Sequence, residues 1–251
     1  MKINELPGGV IYIEDAFPLA KDFVQAIEEN NENKEINHII PPWDKWMDGY
    51  HIDGVWTKVH ERGLVKNVDW DYSINENNEK WPKTEVGPYY SKAHSKAYSI
   101  LEMIDKPYRQ ALDVWSEKTG NLKVGLVSKN YSIKKYDIGQ AIAAHTDRDN
   151  NKEFNTYDWT ALVYLNDDYD GGELEFNKLG YSIKPSAGSI IFFSTDEVHT
   201  AHNANSGNKY FIFFYIHSDV GYTHSIEEKF KTTVEKLKKE AYERSHTIHT
   251  I

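Results

Sequence analysis

The sequence predicts an α+β protein in which helices flank a β core of the sandwich or barrel type. Two observations predict this fold class. Beyond about residue 121, short apolar runs are separated by turn residues, including those at 170–172 and 205–208, and several short strands at such spacing are typical of sandwiches and barrels. Before residue 121, apolar residues recur at steps of three and four, which is typical of amphipathic helices.

Seven short runs are the predicted strands of this core. They cover residues 123–127, 130–136, 159–165, 172–176, 181–184, 189–193 and 208–217. Helices are predicted at about 19–29 and in the C-terminal segment, 225–251. A longer helical pattern contains Pro107, which removes a backbone donor and clashes with the preceding turn. Two consecutive helices are therefore predicted there, at about 88–105 and 107–118.

Residues 31–88 are rich in Asn, Pro, Gly and charged residues, and show no regular pattern. This segment nonetheless carries five of the seven tryptophans: Trp43, Trp46, Trp56, Trp70 and Trp81. A disordered segment is poor in aromatic residues, so ordered loops packed on the core are expected. The alternative is an aromatic groove that grips an extended peptide.

Composition and charge exclude several classes of protein. The chain has 251 residues and no cysteine, so disulfides, thiolate metal sites and cysteine nucleophiles are excluded. Its formal net charge of −10 argues against a general nucleic-acid binder, which usually presents a basic surface. The longest apolar runs are too short to span a bilayer, and residues 1–9 lack the apolar core of a signal peptide. We therefore expect a cytoplasmic protein without nucleic-acid or membrane partners.

Of the His-x-Asp pairs in the sequence, two are considered as candidate metal sites, His51/Asp53 and His145/Asp147. The first pair lies in the Trp-rich segment without a matching later histidine, and we interpret it as structural. The second pair follows a predicted strand, and on an extended backbone residues two apart point to the same side. His199 is the candidate for a third ligand from a distant strand. Two imidazoles and one carboxylate on one face form the facial triad of non-haem Fe(II) oxygenases.

A second signal is Lys209, which lies ten residues after His199 and beyond the predicted turn at 205–208. A following antiparallel strand would bring its ammonium group back into the same pocket. Because a buried ammonium needs a partner, a dicarboxylate co-substrate is a suitable ligand, held by a charge-assisted hydrogen bond.

The run from 136 to 216 resembles the 2-oxoglutarate-dependent Fe(II) dioxygenases, specifically their prolyl 4-hydroxylase-like branch. The matching motifs, in the family's order, are Tyr136-x-x-Gly139-Gln140, His145-x-Asp147, Leu162-x-Tyr164-Leu165-Asn166, Gly171-Gly172-Glu173-x-x-Phe176, Pro185-x-x-Gly188-Ser189, Phe192-Phe193, and His199 followed by Gly207-Asn208-Lys209-Tyr210. The resemblance implies a double-stranded β-helix, which is a jelly-roll or cupin-like core. Within one structural domain, it implies helical and loop support over 1–120, the catalytic core over 121–224 and a C-terminal helix over 225–251.

The same resemblance implies the metal ligands. By it, His145, Asp147 and His199 bind Fe(II). His202 is the rival to His199 for the last position. The family spacing between this histidine and the lysine is close to ten residues, which favours His199 with Lys209.

The co-substrate contacts are implied in the same way. Lys209 pairs with the distal carboxylate of 2-oxoglutarate, and Tyr136 helps to bind it. Tyr164 is a further candidate contact, with core packing as the alternative. The implied cofactors are Fe(II), 2-oxoglutarate and O2, with ascorbate as a further candidate.

The implied reaction is hydroxylation of a C–H bond, coupled to decarboxylation of 2-oxoglutarate to succinate. A prolyl residue in a peptide or protein is the first candidate substrate. Four positions depart from the family's substrate-binding pattern: Ile142, Tyr157, Leu174 and Tyr215. Another amino-acid side chain or a free small molecule therefore stays open as substrate, as does a non-catalytic jelly-roll binding module. The oligomeric state is left open.

Overall fold

The computed structural model describes residues 1–37, 40–52, 55–69, 88–121, 130–148 and 158–216. Its helices are α1 (Ala20–Glu29) and α2 (Pro88–Thr119), and a short 3-10 turn covers Pro7–Gly9. None of the described helices is long and apolar enough to cross a membrane. The predicted strand at 123–127 and the predicted helix at 225–251 lie outside the described residues.

The strands form two facing sheets and a short ribbon. They are β1 (Lys2–Leu6), β2 (Val10–Glu14), β3 (Asp44–Ile52), β4 (Val55–Asp69), β5 (Asn130–Tyr136), β6 (Ile142–His145), β7 (Trp159–Tyr164), β8 (Asp170–Gly171), β9 (Leu174–Phe176), β10 (Tyr181–Ile183), β11 (Ser189–Ser194), β12 (His199–Ala201), β13 (Ala204–Ser206) and β14 (Lys209–Ile216). The main sheet has the order β1-β2-β11-β7-β14-β5-β4-β3, the small sheet the order β10-β9-β12-β6, and the ribbon pairs β13 with β8. This antiparallel architecture is the predicted double-stranded β-helix, so the fold-class prediction is confirmed.

The period-two alternation of the central strands divides the core into two parts. Val163 on β7 and Phe192 on β11 pack with the helical residue Phe23 on one face of the main sheet. Their strand neighbours Leu162 and Phe193 pack on the opposite face, toward the small sheet. The helices thus cover one face of the main sheet, and the site forms on the other face.

The prediction that Pro107 separates two helices is wrong, because α2 runs through it without a break. Buried residues continue on both sides of the proline, and Ile104, Tyr108 and Ala111 all belong to the core. A proline in a helix interior costs about 3 kcal/mol. Burial of this continuous apolar stripe offsets that cost.

The prediction of irregular loops over 31–88 is wrong for its central part. β3 and β4 form an antiparallel hairpin, and β4 extends the main sheet by pairing with β5. The register of the hairpin shifts between Trp46 and Met47 and again between Asp48 and Gly49. Such bulges interrupt the alternation of side chains, so the strands leave no regular period-two pattern in the sequence.

Within the segment 31–88, the two tryptophans whose side chains are described have different surroundings. Trp43 packs against Tyr210 with ring centroids 6.1 Å apart, and Nζ of Lys66 lies 4.6 Å from its ring. Trp46 instead lines the cavity that contains the candidate site. The remaining tryptophan side chains of this segment lie outside the described part of the structure: Trp56, Trp70 and Trp81.

Candidate active site

Two short strands of the small sheet bring the predicted histidines together. β6 ends at His145 and β12 begins at His199, and these two residues are direct partners in the antiparallel register. Their ring centroids lie 4.3 Å apart. Asp147 follows β6, and one ligand atom from each of the three residues lies within 4.8 Å of the others. The structure therefore gathers the three predicted ligands into one compact cluster.

Backbone carbonyls orient both imidazoles of the cluster. Nδ1 of His145 lies 2.8 Å from the Ala143 carbonyl oxygen, and Nδ1 of His199 lies 3.0 Å from that of Glu197. Because a protonated Nδ1 donates to a carbonyl, Nε2 of each ring is the free ligand atom. These Nε2 atoms lie 3.5 Å and 3.7 Å from the two carboxylate oxygens of Asp147. Metal-binding histidines are commonly oriented in this way.

The carboxylate of Asp147 is held by the main sheet. Thr160 Oγ1 donates a hydrogen bond to Asp147 Oδ2 at 2.7 Å, and the hydroxyl of Tyr215 lies 3.5 Å from the backbone oxygen of Asp147. Thr160 on β7 and Tyr215 on β14 are register partners. Two neighbouring strands of one sheet thus position the acidic residue against the histidines of the other sheet.

The two imidazoles differ in their electrostatic surroundings. His199 is buried, and burial lowers its pKa although the nearby Asp147 carboxylate acts in the opposite direction. Burial also lowers the pKa of His145, but hydrogen bonds with Asp147 and with the Ala143 carbonyl outweigh it and leave the pKa raised. A lowered pKa keeps His199 neutral, which is the form that binds a metal.

The cluster lies in a cavity of about 470 Å³ between the two sheets. β5, β7 and β14 supply its wall on the main sheet, and β6, β9 and β12 supply the opposite wall. Two of the positions that depart from the family pattern, Ile142 and Leu174, belong to that opposite wall, and a third, Tyr215, lies on β14. The fourth, Tyr157, lies outside the described residues.

Lys209 places a buried ammonium group in the same cavity. Only 1% of this residue is exposed, and its Nζ donates a hydrogen bond to the Gly172 carbonyl oxygen at 2.6 Å. Among the described residues it forms no ion pair, and burial lowers its pKa to about 8, although Glu173 acts to raise it. A buried cation that lacks an anionic partner is costly, so the cavity is suited to an anionic ligand at this point.

Tyr136 and Tyr164 lie beside this lysine. Tyr136 is the register partner of Lys209, and its buried hydroxyl has no hydrogen-bond partner among the described residues. Burial raises the pKa of this hydroxyl, which therefore stays protonated and able to donate. The ring of Tyr164 lies 5.2 Å from Nζ of Lys209, lines the cavity and also packs in the core of this face.

The Gly-Gly turn lets the backbone approach Lys209 closely. Gly172 has a φ of +72°, in the left-handed region that favours glycine. A Cβ atom on it would lie 2.6 Å from the ring of Tyr169 and 3.4 Å from Cδ of Lys209. Glycine at this position therefore leaves the room that the Tyr169 ring occupies, with Lys209 in van der Waals range.

The structure separates the rival histidine, His202, from the cluster. Nε2 of His202 lies 2.7 Å from Glu175 Oε2, and this pair is not part of the cavity wall. His51 lies on β3, and Asp53 lies outside the described residues. The structure thus brings His199, rather than His202, next to Asp147.

Sequence reasoning missed part of the cavity wall, notably Trp46, Lys134, Phe211 and Phe213. Period-two alternation from Tyr136 and from Lys209 indicates three of them, because Lys134 lies two residues before the tyrosine and the phenylalanines lie two and four residues after the lysine. Trp46 comes from the unpredicted hairpin and stacks on Tyr136, with ring centroids 5.6 Å apart.

Known proteins resemble this chain in sequence over its core and in fold over most of its length. A family model for the 2OG-Fe(II) oxygenase superfamily matches residues 131–217, whereas no curated protein sequence matches the chain. A Trichoplax adhaerens prolyl hydroxylase, solved with a hypoxia inducible factor oxygen degradation domain peptide fragment, is 14% identical over 88% of this chain and 89% of its own, with a TM-score of 0.50. The viral collagen prolyl hydroxylase of Paramecium Bursaria Chlorella virus-1 is 17% identical over 83% of this chain and 94% of its own, with a TM-score of 0.45. A Pseudomonas putida prolyl-4-hydroxylase is 15% identical over 84% and 93%, with a TM-score of 0.43.

The double-stranded β-helix and the His-Asp-His cluster are the fold and the ligand set that non-haem iron dioxygenases use. Residues 131–217 match the model of the 2OG-Fe(II) oxygenase superfamily, and the resemblance inferred from the motifs of this part of the chain is confirmed. Members of this superfamily use Fe(II), 2-oxoglutarate and O2. At 14% identity, the likeness to the Trichoplax enzyme shows a shared fold.

Proposed function

We propose that this protein is a Fe(II)- and 2-oxoglutarate-dependent hydroxylase whose substrate is a prolyl residue in a peptide or protein. One observation carries the proposal: the His-Asp-His cluster and a buried lysine without an ion-pair partner among the described residues line the same cavity. Burial of an uncompensated ammonium destabilises a fold. A binding module with a structural metal would not explain why Lys209 is buried there, whereas an anionic co-substrate would.

His145, Asp147 and His199 are the proposed Fe(II) ligands. The donor set fits the ion, because two imidazoles and one carboxylate on one side leave the opposite positions open for other ligands. The contacts around the set support this role. Thr160 holds the carboxylate, and two backbone carbonyls fix the ring orientations that leave each Nε2 free.

Lys209 and Tyr136 are the proposed partners of the distal carboxylate of 2-oxoglutarate. They are register partners, one an ammonium without an ion-pair partner and the other a hydroxyl without a hydrogen-bond partner among the described residues. One carboxylate accepts from both groups and satisfies both. Tyr164 lines the same stretch of the cavity and would pack against the carbon chain of the co-substrate.

Bound Fe(II), 2-oxoglutarate and O2 supply the oxidising power for the hydroxylation, and 2-oxoglutarate leaves as succinate and CO2. The chain's own residues position and enclose the reactants. The side chains of Phe211, Phe213 and Tyr215 follow one another along the inner face of β14, from Lys209 toward Asp147. This aromatic wall limits water in the cavity, which protects the reaction from side reactions.

Two features support a prolyl substrate. The motifs from 136 to 216 resemble the prolyl 4-hydroxylase-like branch, and the fold is shared with a prolyl hydroxylase solved with a peptide fragment. Trp46 and Tyr215 give the cavity aromatic surfaces that suit a pyrrolidine ring. A free amino acid is the second candidate substrate, since the cavity also holds the ammonium group of Lys134.

Product analysis tests the proposal. With Fe(II), 2-oxoglutarate and O2, proline peptides should gain one oxygen atom by mass spectrometry while succinate forms. His199→Ala should lose both products. The matched variant His202→Ala should keep them, because His202 contacts Glu175 outside the cavity. Full turnover in His199→Ala would contradict the proposal that this cluster binds Fe(II).

A further inference from the structure

We propose that Lys134 is a specificity-determining residue that binds a carboxylate of the substrate near the C–H bond to be oxidised. The inference rests on the proposed function, because it concerns the same cavity. It narrows the substrate to a molecule that carries an anionic group, either as an acidic side chain of a peptide or as the carboxylate of a free amino acid.

The register of β5 and β14 places Lys134 beside the co-substrate contacts. Tyr136 lies opposite Lys209, and Lys134 lies opposite Phe211. Because side chains alternate along a strand, Lys134 and Tyr136 share the inner face of β5 and both line the cavity. Two residues of a strand span about 6.6 Å, so Lys134 is set apart from the proposed carboxylate site of 2-oxoglutarate.

Relative to Tyr136 and Lys209, Lys134 is shifted along the sheet toward the His-Asp-His cluster. Along β14 the residues run from Lys209 through Phe211 and Phe213 to Tyr215, whose hydroxyl approaches Asp147. Lys134 lies at the level of Phe211, part of the way along this line and one strand to the side. If a carboxylate of the substrate binds at this position, the rest of the substrate lies next to the cluster.

The surroundings of Lys134 suit an anion. Its Nζ lies 3.6 Å from the centroid of the Trp46 ring, and the described residues give it no hydrogen bond and no acidic partner. Removal from water lowers its pKa to about 8. The next residue, Lys135, points to the opposite face of the strand, where its Nζ lies 3.3 Å from Glu28 Oε1. Attraction to an aromatic face only partly replaces water around an ammonium, so an incoming carboxylate would be stabilised here.

The charges of the cavity support the same conclusion. Its described wall carries two ammonium groups, of Lys134 and Lys209, and one carboxylate, of Asp147. Fe(II) and the 2-oxoglutarate dianion neutralise each other, and Asp147 neutralises one lysine. One positive charge is left in a chain whose formal net charge is −10. A substrate with one negative charge balances it.

Paired probes and matched variants test the inference. The probes are proline peptides in which Glu or Gln flanks the proline, together with free L-amino acids and their amides. The two sets distinguish a side-chain carboxylate from the carboxylate of an amino acid. The variants are Lys134→Met, which removes the charge at similar length, Lys134→Arg, which keeps it, and the control Lys135→Met on the opposite face. Succinate formation gives kcat and KM for each pair.

For wild-type protein we expect a KM roughly tenfold or more lower for the carboxylate member of at least one pair, because the contact is a charge-assisted hydrogen bond. Lys134→Met should raise that KM to the value of the amide member with little change in kcat. Lys134→Arg should keep the preference, and Lys135→Met should behave as wild type.

The anaerobic Fe(II)–2-oxoglutarate absorption band separates this inference from the proposed function. If wild-type protein gives no band, the proposed function fails. An intact band with equal KM values within every pair, or with no carboxylate probe accepted, overturns the role of Lys134 alone. An affinity for 2-oxoglutarate that falls tenfold in Lys134→Met would also overturn it, because the lysine would then bind the co-substrate.

Discussion

Replacing Lys209 by methionine should stabilise the protein in the absence of 2-oxoglutarate. Burial lowers the pKa of Lys209 from the ordinary 10.5 to about 8. At about 1.4 kcal/mol for each pKa unit, keeping this ammonium charged at neutral pH costs about 3 kcal/mol. The variant also loses the hydrogen bond to the Gly172 carbonyl, which is worth about 1 kcal/mol. The expected gain is therefore ~2 kcal/mol, or ~4–8 °C in Tm for a chain of this size.

Thermal unfolding followed by circular dichroism measures this gain, with the exposed Lys178→Met as a control that should not change Tm. The gain should shrink as the pH rises from about 8 toward 10.5. In that window the folded wild-type protein has already lost the proton of Lys209 while the unfolded chain still binds it, so wild-type stability rises with pH. Addition of 2-oxoglutarate with Fe(II) should stabilise wild type and not Lys209→Met. An equal or lower Tm for the variant at pH 7 would refute the reasoning.

Three further predictions concern the same cavity. Tyr136→Phe removes a hydroxyl that has no hydrogen-bond partner among the described residues, so the stability of the ligand-free protein should not change. The Kd for 2-oxoglutarate, measured anaerobically, should rise roughly tenfold. An unchanged Kd would exclude the contact. Thr160→Val removes the donor to Asp147, and Fe(II) affinity in an anaerobic titration should fall roughly tenfold, whereas wild-type affinity would show that the hydrogen bond is dispensable. Above pH 8 the 2-oxoglutarate Kd should rise about tenfold per pH unit as Lys209 loses its proton, and a pH-dependence that persists in Lys209→Met would assign it to another group.

The clustering of His145, Asp147 and His199 could be predicted from the sequence because the spacings of the candidate residues are regular. His145 and Asp147 are two residues apart on extended backbone, and His199 and Lys209 are ten residues apart across a turn. The structure places His199 opposite His145 in one sheet and Lys209 opposite Tyr136 in the other. Strand pairing thus brings these residues, which are distant in the sequence, into one cavity.

The rest of the fold could not be predicted because tertiary contacts override local patterns. The packing of Ile104 and Tyr108 keeps α2 continuous through Pro107, although an isolated helix would break there. The bulges of the β3–β4 hairpin interrupt the alternation of its side chains. The sequence therefore does not indicate that Trp46 lines the cavity. Lys134 stands out only once β5 is known to line the cavity, since in sequence it is one of two adjacent lysines.

The central claim is that the cluster of His145, Asp147 and His199 and the buried Lys209 together bind Fe(II) and 2-oxoglutarate in one cavity. The most direct measurement is an anaerobic titration of the protein with Fe(II) and 2-oxoglutarate, recorded as a visible absorption spectrum. We predict a weak charge-transfer band that requires both components, is lost in His199→Ala and persists in His202→Ala. Metal that binds without giving this band when 2-oxoglutarate is added would contradict the claim.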